Sequence, residues 1–143
     1  MKTRIGLAVA AVFGISLGVV AEAIDHKVSV RDVMIAAITP ATNTLWAAED
    51  PQTDEAWKEL EDAAIVVIAT GTLIRAGGSG PDDSEWAADE AWQAYADTMI
   101  DAGAAALAAA RDNDIDALFE ATAVMYPPCE ECHLQFHPEM QNP

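Results

Sequence analysis

With 143 residues the chain has room for one domain of ordinary size and not for two. Its 24 Asp and Glu against 7 Lys and Arg give a net charge of −17, which sets it against nucleic acid and anionic membranes as partners and would steer a basic-surfaced protein towards it. The same acidity also serves simply to keep an alanine-rich protein in solution, and the two cysteines leave no third thiol for a disulfide framework.

Lys2 and Arg4, the apolar run Ile5 to Ala21 and the small-residue triplet Ala21-Glu22-Ala23 read as a secretory signal over residues 1–23. The mature domain is then expected over residues 24–143, exported to the periplasm and without a membrane contact of its own. An uncleaved anchor is the alternative, because the run approaches the length of a spanning helix.

From Val28 onward apolar residues recur at helical spacing. Val30, Met34, Ile38, Ala41 and Leu45 mark one face of a first helix, with Trp46 beside it and Pro40 expected to bend it. Thr53 is a good N-cap for a second helix running to about Arg75, whose buried face is Trp57, Leu60, Ala64, Val67, Ile68, Gly71 and Ile74. Gly77, Gly78, Gly80 and Pro81 then make the clearest linker in the chain. A third helix is expected from about Glu85 to Arg111, capped by Asp83 or Ser84 and ending in an alanine-rich stretch suited to close packing. Asn113 and Asp114 turn the chain into a fourth helix from about Ile115. Pro127 and Pro128 predict a break at Tyr126, with Pro128 opening a short separate helix. Four helices, short connections and no strand pattern give an all-α antiparallel four-helix bundle.

The fourth helix carries Cys129-Glu130-Glu131-Cys132-His133. This C-x-x-C-H spacing is the attachment signature of a c-type haem: two thiols bond the haem edge and the adjacent imidazole takes an axial position on iron. Residues three and four apart share a helix face, so all three side chains can meet one group. Two other readings compete. A zinc site could use Cys129, Cys132, His133 and His137, although ligands crowded into so short a stretch close a tetrahedron awkwardly. A redox-active C-x-x-C belongs near a βαβ pattern, which is missing here. No catalytic base, nucleophile or phosphate loop is recognisable, so no enzyme activity is expected.

A signal segment, four helices and one C-x-x-C-H on the last of them resemble the cytochrome c′ and cytochrome c-556 class, together with Phe136 after the motif and segments such as Val30-Arg31-Asp32-Val33-Met34 with Pro40 and Trp46, and Asp54-Glu55-Ala56-Trp57. The resemblance implies one covalent haem c, with Cys129 and Cys132 as thioether anchors, His133 as proximal iron ligand and Met34, on the first helix, as a possible distal ligand. A methionine there implies a six-coordinate electron carrier with a protein redox partner. An open distal face implies a module that takes up nitric oxide or carbon monoxide. Met99, Met125 and His26 are the other candidates for the sixth position, and Met140 is tethered too close to the proximal side. Homodimers are common in that class. The chain departs from it at His137, where Arg or Lys is usual, and at the prolines before the motif. The tryptophans at 46, 57, 86 and 92 are expected to pack the core or flank the haem, and Tyr126 could reach a propionate.

Overall fold

The computed structural model describes residues 27–137; the expected signal segment, His26 and Met140 lie outside them. Every regular element among the described residues is helical.

The chain enters through a capping box. The amide of Asp32 donates to Ser29 Oγ at 3.1 Å, and the Ser29 amide donates to Asp32 Oδ2 at 3.0 Å, so two of the helix's orphan donors are met reciprocally. Helix α1, Val30–Val33, runs directly into a π-helical segment, Met34–Ile38, and then into α2, Thr39–Trp46. The expected effect of Pro40 is realised here in a particular form. Proline has no N–H to give to the carbonyl of Ala36, and its ring crowds that carbonyl. The turn before it widens by one residue, with the Thr39 amide bonding to Met34 O. The predicted face is kept: Val30, Ile38, Ala41 and Leu45 are buried.

Thr53 caps α3, Asp54–Ala76, as expected, its hydroxyl accepting from the Ala56 amide at 3.1 Å. Leu60, Ala64, Val67, Gly71 and Ile74 are buried on its inner face, while Trp57 and Ile68 are only partly so. Gly77 ends the helix at φ +88°, a conformation that suits glycine.

The third predicted helix is two. A short α4, Asp83–Ala87, stops, and α5, Glu90–Arg111, starts afresh from Asp89. The Asp89 carboxylate accepts from the amides of Ala91 at 2.7 Å and Trp92 at 3.4 Å, a local alternative to the helix ladder that ends one helix and opens the next. Gln93 Nε2 donates to the carbonyl of Ala87 at 2.7 Å and to that of Arg75 at 2.8 Å.

Asp114 caps α6, Ile115–Phe136, accepting from the Ala117 amide at 3.0 Å. The predicted break at Tyr126 does not occur: α6 runs through Pro127 and Pro128 without interruption. The two prolines deny a hydrogen bond to the carbonyls of Ala123 and Val124. Both of those residues are exposed, so water can satisfy the freed oxygens. Trp46 Nε1, donating to Thr122 O at 3.3 Å, ties the same turn to α2.

Helix α3 packs along α5, and α5 along α6, while the α1 to α2 stretch lies mainly across α3 and reaches α6. Neighbours run antiparallel. Arg111 near the end of α5 pairs with Glu61 near the start of α3, and Tyr95 at the start of α5 bonds Gln135 at the end of α6. A Cβ on Gly103 would stand 3.1 Å from Val67 Cγ1 and 3.2 Å from Ile68 Cγ1, so α5 and α3 meet closely because this position has no side chain. Leu45, Val67, Leu118 and Met125 form the driest part of the core. No helix among the described residues is long and apolar enough to cross a membrane.

Candidate cofactor site

The bundle is not filled at one end. A cavity of about 670 Å³ opens between the α1 to α2 stretch, α5 and α6, a volume within the roughly 300–1,000 Å³ of cofactor pockets. Its α6 wall holds Cys129, Cys132, His133, Phe136 and His137; the facing stretch contributes Val30, Met34, Ile38, Thr42 and Trp46; Trp92, Tyr95 and Met99 come from α5. The C-x-x-C-H motif therefore lines one open-mouthed cavity together with Met34, the methionine expected to meet it. That convergence depends on α6 staying helical through its prolines, since a break at Tyr126 would free the motif to turn elsewhere.

Both thiols are free. Cys132 is buried and Cys129 half-buried, with Cys129 Sγ donating to Met125 O at 3.2 Å. Burial raises the pKa of each thiol. For Cys132, burial and then the neighbouring Cys129 push it up to about 12. A nucleophilic C-x-x-C needs the opposite, a thiolate stabilised by positive charge. His133 is also partly withdrawn from water, and burial first, then proximity to His137, lower its pKa. A neutral imidazole is the form that ligates a metal.

The aromatic residues divide into two groups. Trp92, buried, donates its indole N–H to Ile74 O at 3.0 Å and forms a cluster with Trp86, stacked at 5.4 Å, and Phe136, edge-on at 5.1 Å. All three line the cavity. At the other end Trp46 meets Tyr126 edge-on at 6.0 Å. Trp57 packs on the core and Tyr126 is 54% exposed; neither lines the cavity.

Among the candidates for a second axial ligand, Met34 and Met99 line the cavity and Met125 does not. The Met99 methyl lies against α3, where a Cβ on Gly71 would be 3.1 Å from it. Met34, partly buried, lines the same cavity as His133 from the first helical stretch. Sequence reasoning missed Thr42, whose buried hydroxyl donates to Ile38 O at 3.0 Å, and the pairing of Trp86 with Phe136; neither carries a local spacing signal. His137 Nδ1 is buried at the cavity edge with no hydrogen-bond partner among the described residues, a polar atom suited to meeting an occupant or a water.

Among the described residues no three His, Cys, Asp or Glu side chains come together as a metal-holding group. A zinc ion depends on such a set, whereas haem brings four nitrogen ligands and asks the protein for one or two. Comparison with protein-family models, curated proteins and solved structures finds no match to this chain.

Proposed function

We propose that the chain is an exported one-electron carrier of the cytochrome c′ and c-556 type, holding one haem c through Cys129 and Cys132, with His133 as proximal and Met34 as distal iron ligand. The observation that carries this reading is the shared cavity: two cysteines and a histidine at C-x-x-C-H spacing on one wall, a methionine on the other, and mostly apolar residues between them.

The residues present suit that group. Thioether formation removes two titratable thiols from a place where burial already disfavours their ionised form. The lowered pKa of His133 keeps its imidazole available for ligation. Haem supplies reversible one-electron iron chemistry, and Met/His ligation favours a raised reduction potential. The chain's part is to hold the group rigidly and exclude water. Trp86, Trp92 and Phe136 pack the inner end, Trp46 closes on α6 through Thr122, and the net charge of −17 draws a basic redox partner to the surface.

The test is the optical spectrum of the reduced exported protein before and after carbon monoxide. The expected result is a haem spectrum unchanged by the gas in the natural chain and changed in a Met34→Ala variant. An immediate change in the natural chain overturns Met34 ligation in favour of a gas-binding module. A colourless protein overturns the haem reading and returns the zinc-bound structural bundle to consideration.

A further inference from the structure

Asp83 is the one carboxylate that is buried among the described residues, at 3% exposure, and none of the chemistry above uses it. A carboxylate withdrawn from water is costly unless donors meet its oxygens. They do: Oδ2 accepts the Val30 amide at 2.8 Å and the Gly80 amide at 2.8 Å. Val30 opens α1, so its amide is one of the donors the helix leaves without an internal partner. The Ser79 amide adds a second tie between the same segments, donating to Val28 O at 3.0 Å.

The glycines of the linker are shaped to this carboxylate. A Cβ on Gly78 would run into Asp83 Oδ2 and lie 2.7 Å from the Val30 nitrogen, and one on Gly80 would lie 2.6 Å from Asp83 Oδ1. Only residues without a side chain let the backbone close round it.

The carboxylate also sits where two walls of the cavity meet. On one side Val30 leads within about a turn to Met34. On the other, Asp83 begins the short helix carrying Trp86, which contacts Trp92 and, edge-on at 6.3 Å, Phe136 of α6. The far end of the Met34-bearing stretch is held by Trp46 on Thr122 O. The stretch is thus tied at both ends, with the π-helical turn between.

We propose that Asp83 is a positioning residue: its carboxylate latches the α1 wall to the start of α4 and thereby sets how Met34 stands towards the group held by Cys129, Cys132 and His133. The latch itself is independent of the proposed function; its consequence for Met34 rests on that reading.

The test uses the full-length exported protein and two readouts, amide hydrogen exchange by mass spectrometry and the carbon monoxide response of the reduced spectrum. Asp83→Ala should speed exchange over residues 28–34 by about tenfold or more, the equivalent of losing one hydrogen bond to a charged group, leave the Ala102 to Ala110 stretch of α5 unchanged, and add a carbon monoxide response. Asp83→Asn, whose carbonyl oxygen can still accept both amides, should restore most of the protection. Gly78→Ala should act like Asp83→Ala by crowding the carboxylate from the other side, and it carries the test if Asp83→Ala fails to fold. Exchange that is unchanged over residues 28–34, or that rises equally in α5, overturns the latch. Local opening without a carbon monoxide response in a haem-bearing variant overturns the link to Met34. A colourless chain with local opening upholds the latch and overturns the haem reading alone.

Discussion

At the scale of single residues, the site is set by how burial changes acids and bases. Cys129 and Cys132 lie where a thiolate is disfavoured, and His133 where an imidazolium is, which suits a thioether and a neutral ligand better than a reactive dithiol. Asp32 shows the reverse effect at the surface. The Ser29 hydroxyl, then the Ser29 amide, hold its carboxyl below the ordinary carboxylate value. A depressed folded pKa contributes stability that is present above the unfolded value and is lost as pH falls through the folded one. Protection of the first α1 amides, taken relative to the intrinsic exchange rate at each pH, should therefore fall in strongly acid solution in the natural chain, while an Asp32→Asn variant starts less protected and shows little of that dependence. Equal acid dependence in both chains contradicts the assignment. The C-x-x-C-H motif was legible at this scale because its spacing is local. Asp83 was not: its partners are Gly80 and the distant Val30, and the glycines around it read only as a linker.

At the scale of elements, the helices were legible from periodic burial, and their interruptions were not. Thr53 and Asp114 were readable as caps because each precedes an apolar stripe. Asp89 was not legible because it lies inside the stretch expected as one helix, Glu85 to Arg111, with no glycine or proline beside it to mark a break. Pro40 was expected to bend its helix, but the form of the accommodation, a π-helical turn beginning at Met34, depends on packing against α3 as well as on local sequence. The prolines of α6 were over-read. An interior proline costs about 3 kcal/mol or more, yet α6 continues unbroken past both, with the buried Pro128 on the cavity wall and the exposed Pro127 away from it. Pro127→Ala gives Ala123 O back a donor, so it should raise stability by up to ~3 kcal/mol and leave the carbonyl of Thr122 bonded to Trp46. Thermal or denaturant unfolding of the variant checks this; a loss of stability would mean that the missing hydrogen bond is not the dominant effect at this position.

At the scale of the whole molecule, an antiparallel helical bundle was legible from four amphipathic stretches and short turns, while the cavity was not. Its walls come from residues 29–46, 74–99 and 128–137, and no local pattern records that three distant stretches leave a space between them. Glycine on α3 and α5 lets those helices close together, while Trp86, Trp92 and Phe136 pack on one another along the lining of the cavity. The proposed function gives the acidic surface a part at this scale too. Electron exchange with a basic protein partner should slow markedly as ionic strength rises, because steering between exposed charges is screened over a Debye length of about 8 Å at physiological salt. Stopped-flow rates that do not change with salt contradict a role for the net charge of −17 in partner capture.

The most direct measurement of the central claim is the intact mass of the exported protein under denaturing conditions. The account predicts a chain heavier by one haem, with the increment lost when Cys129 and Cys132 are both replaced by alanine. A natural chain that carries only its own polypeptide mass, with its two thiols still free to alkylate, contradicts it.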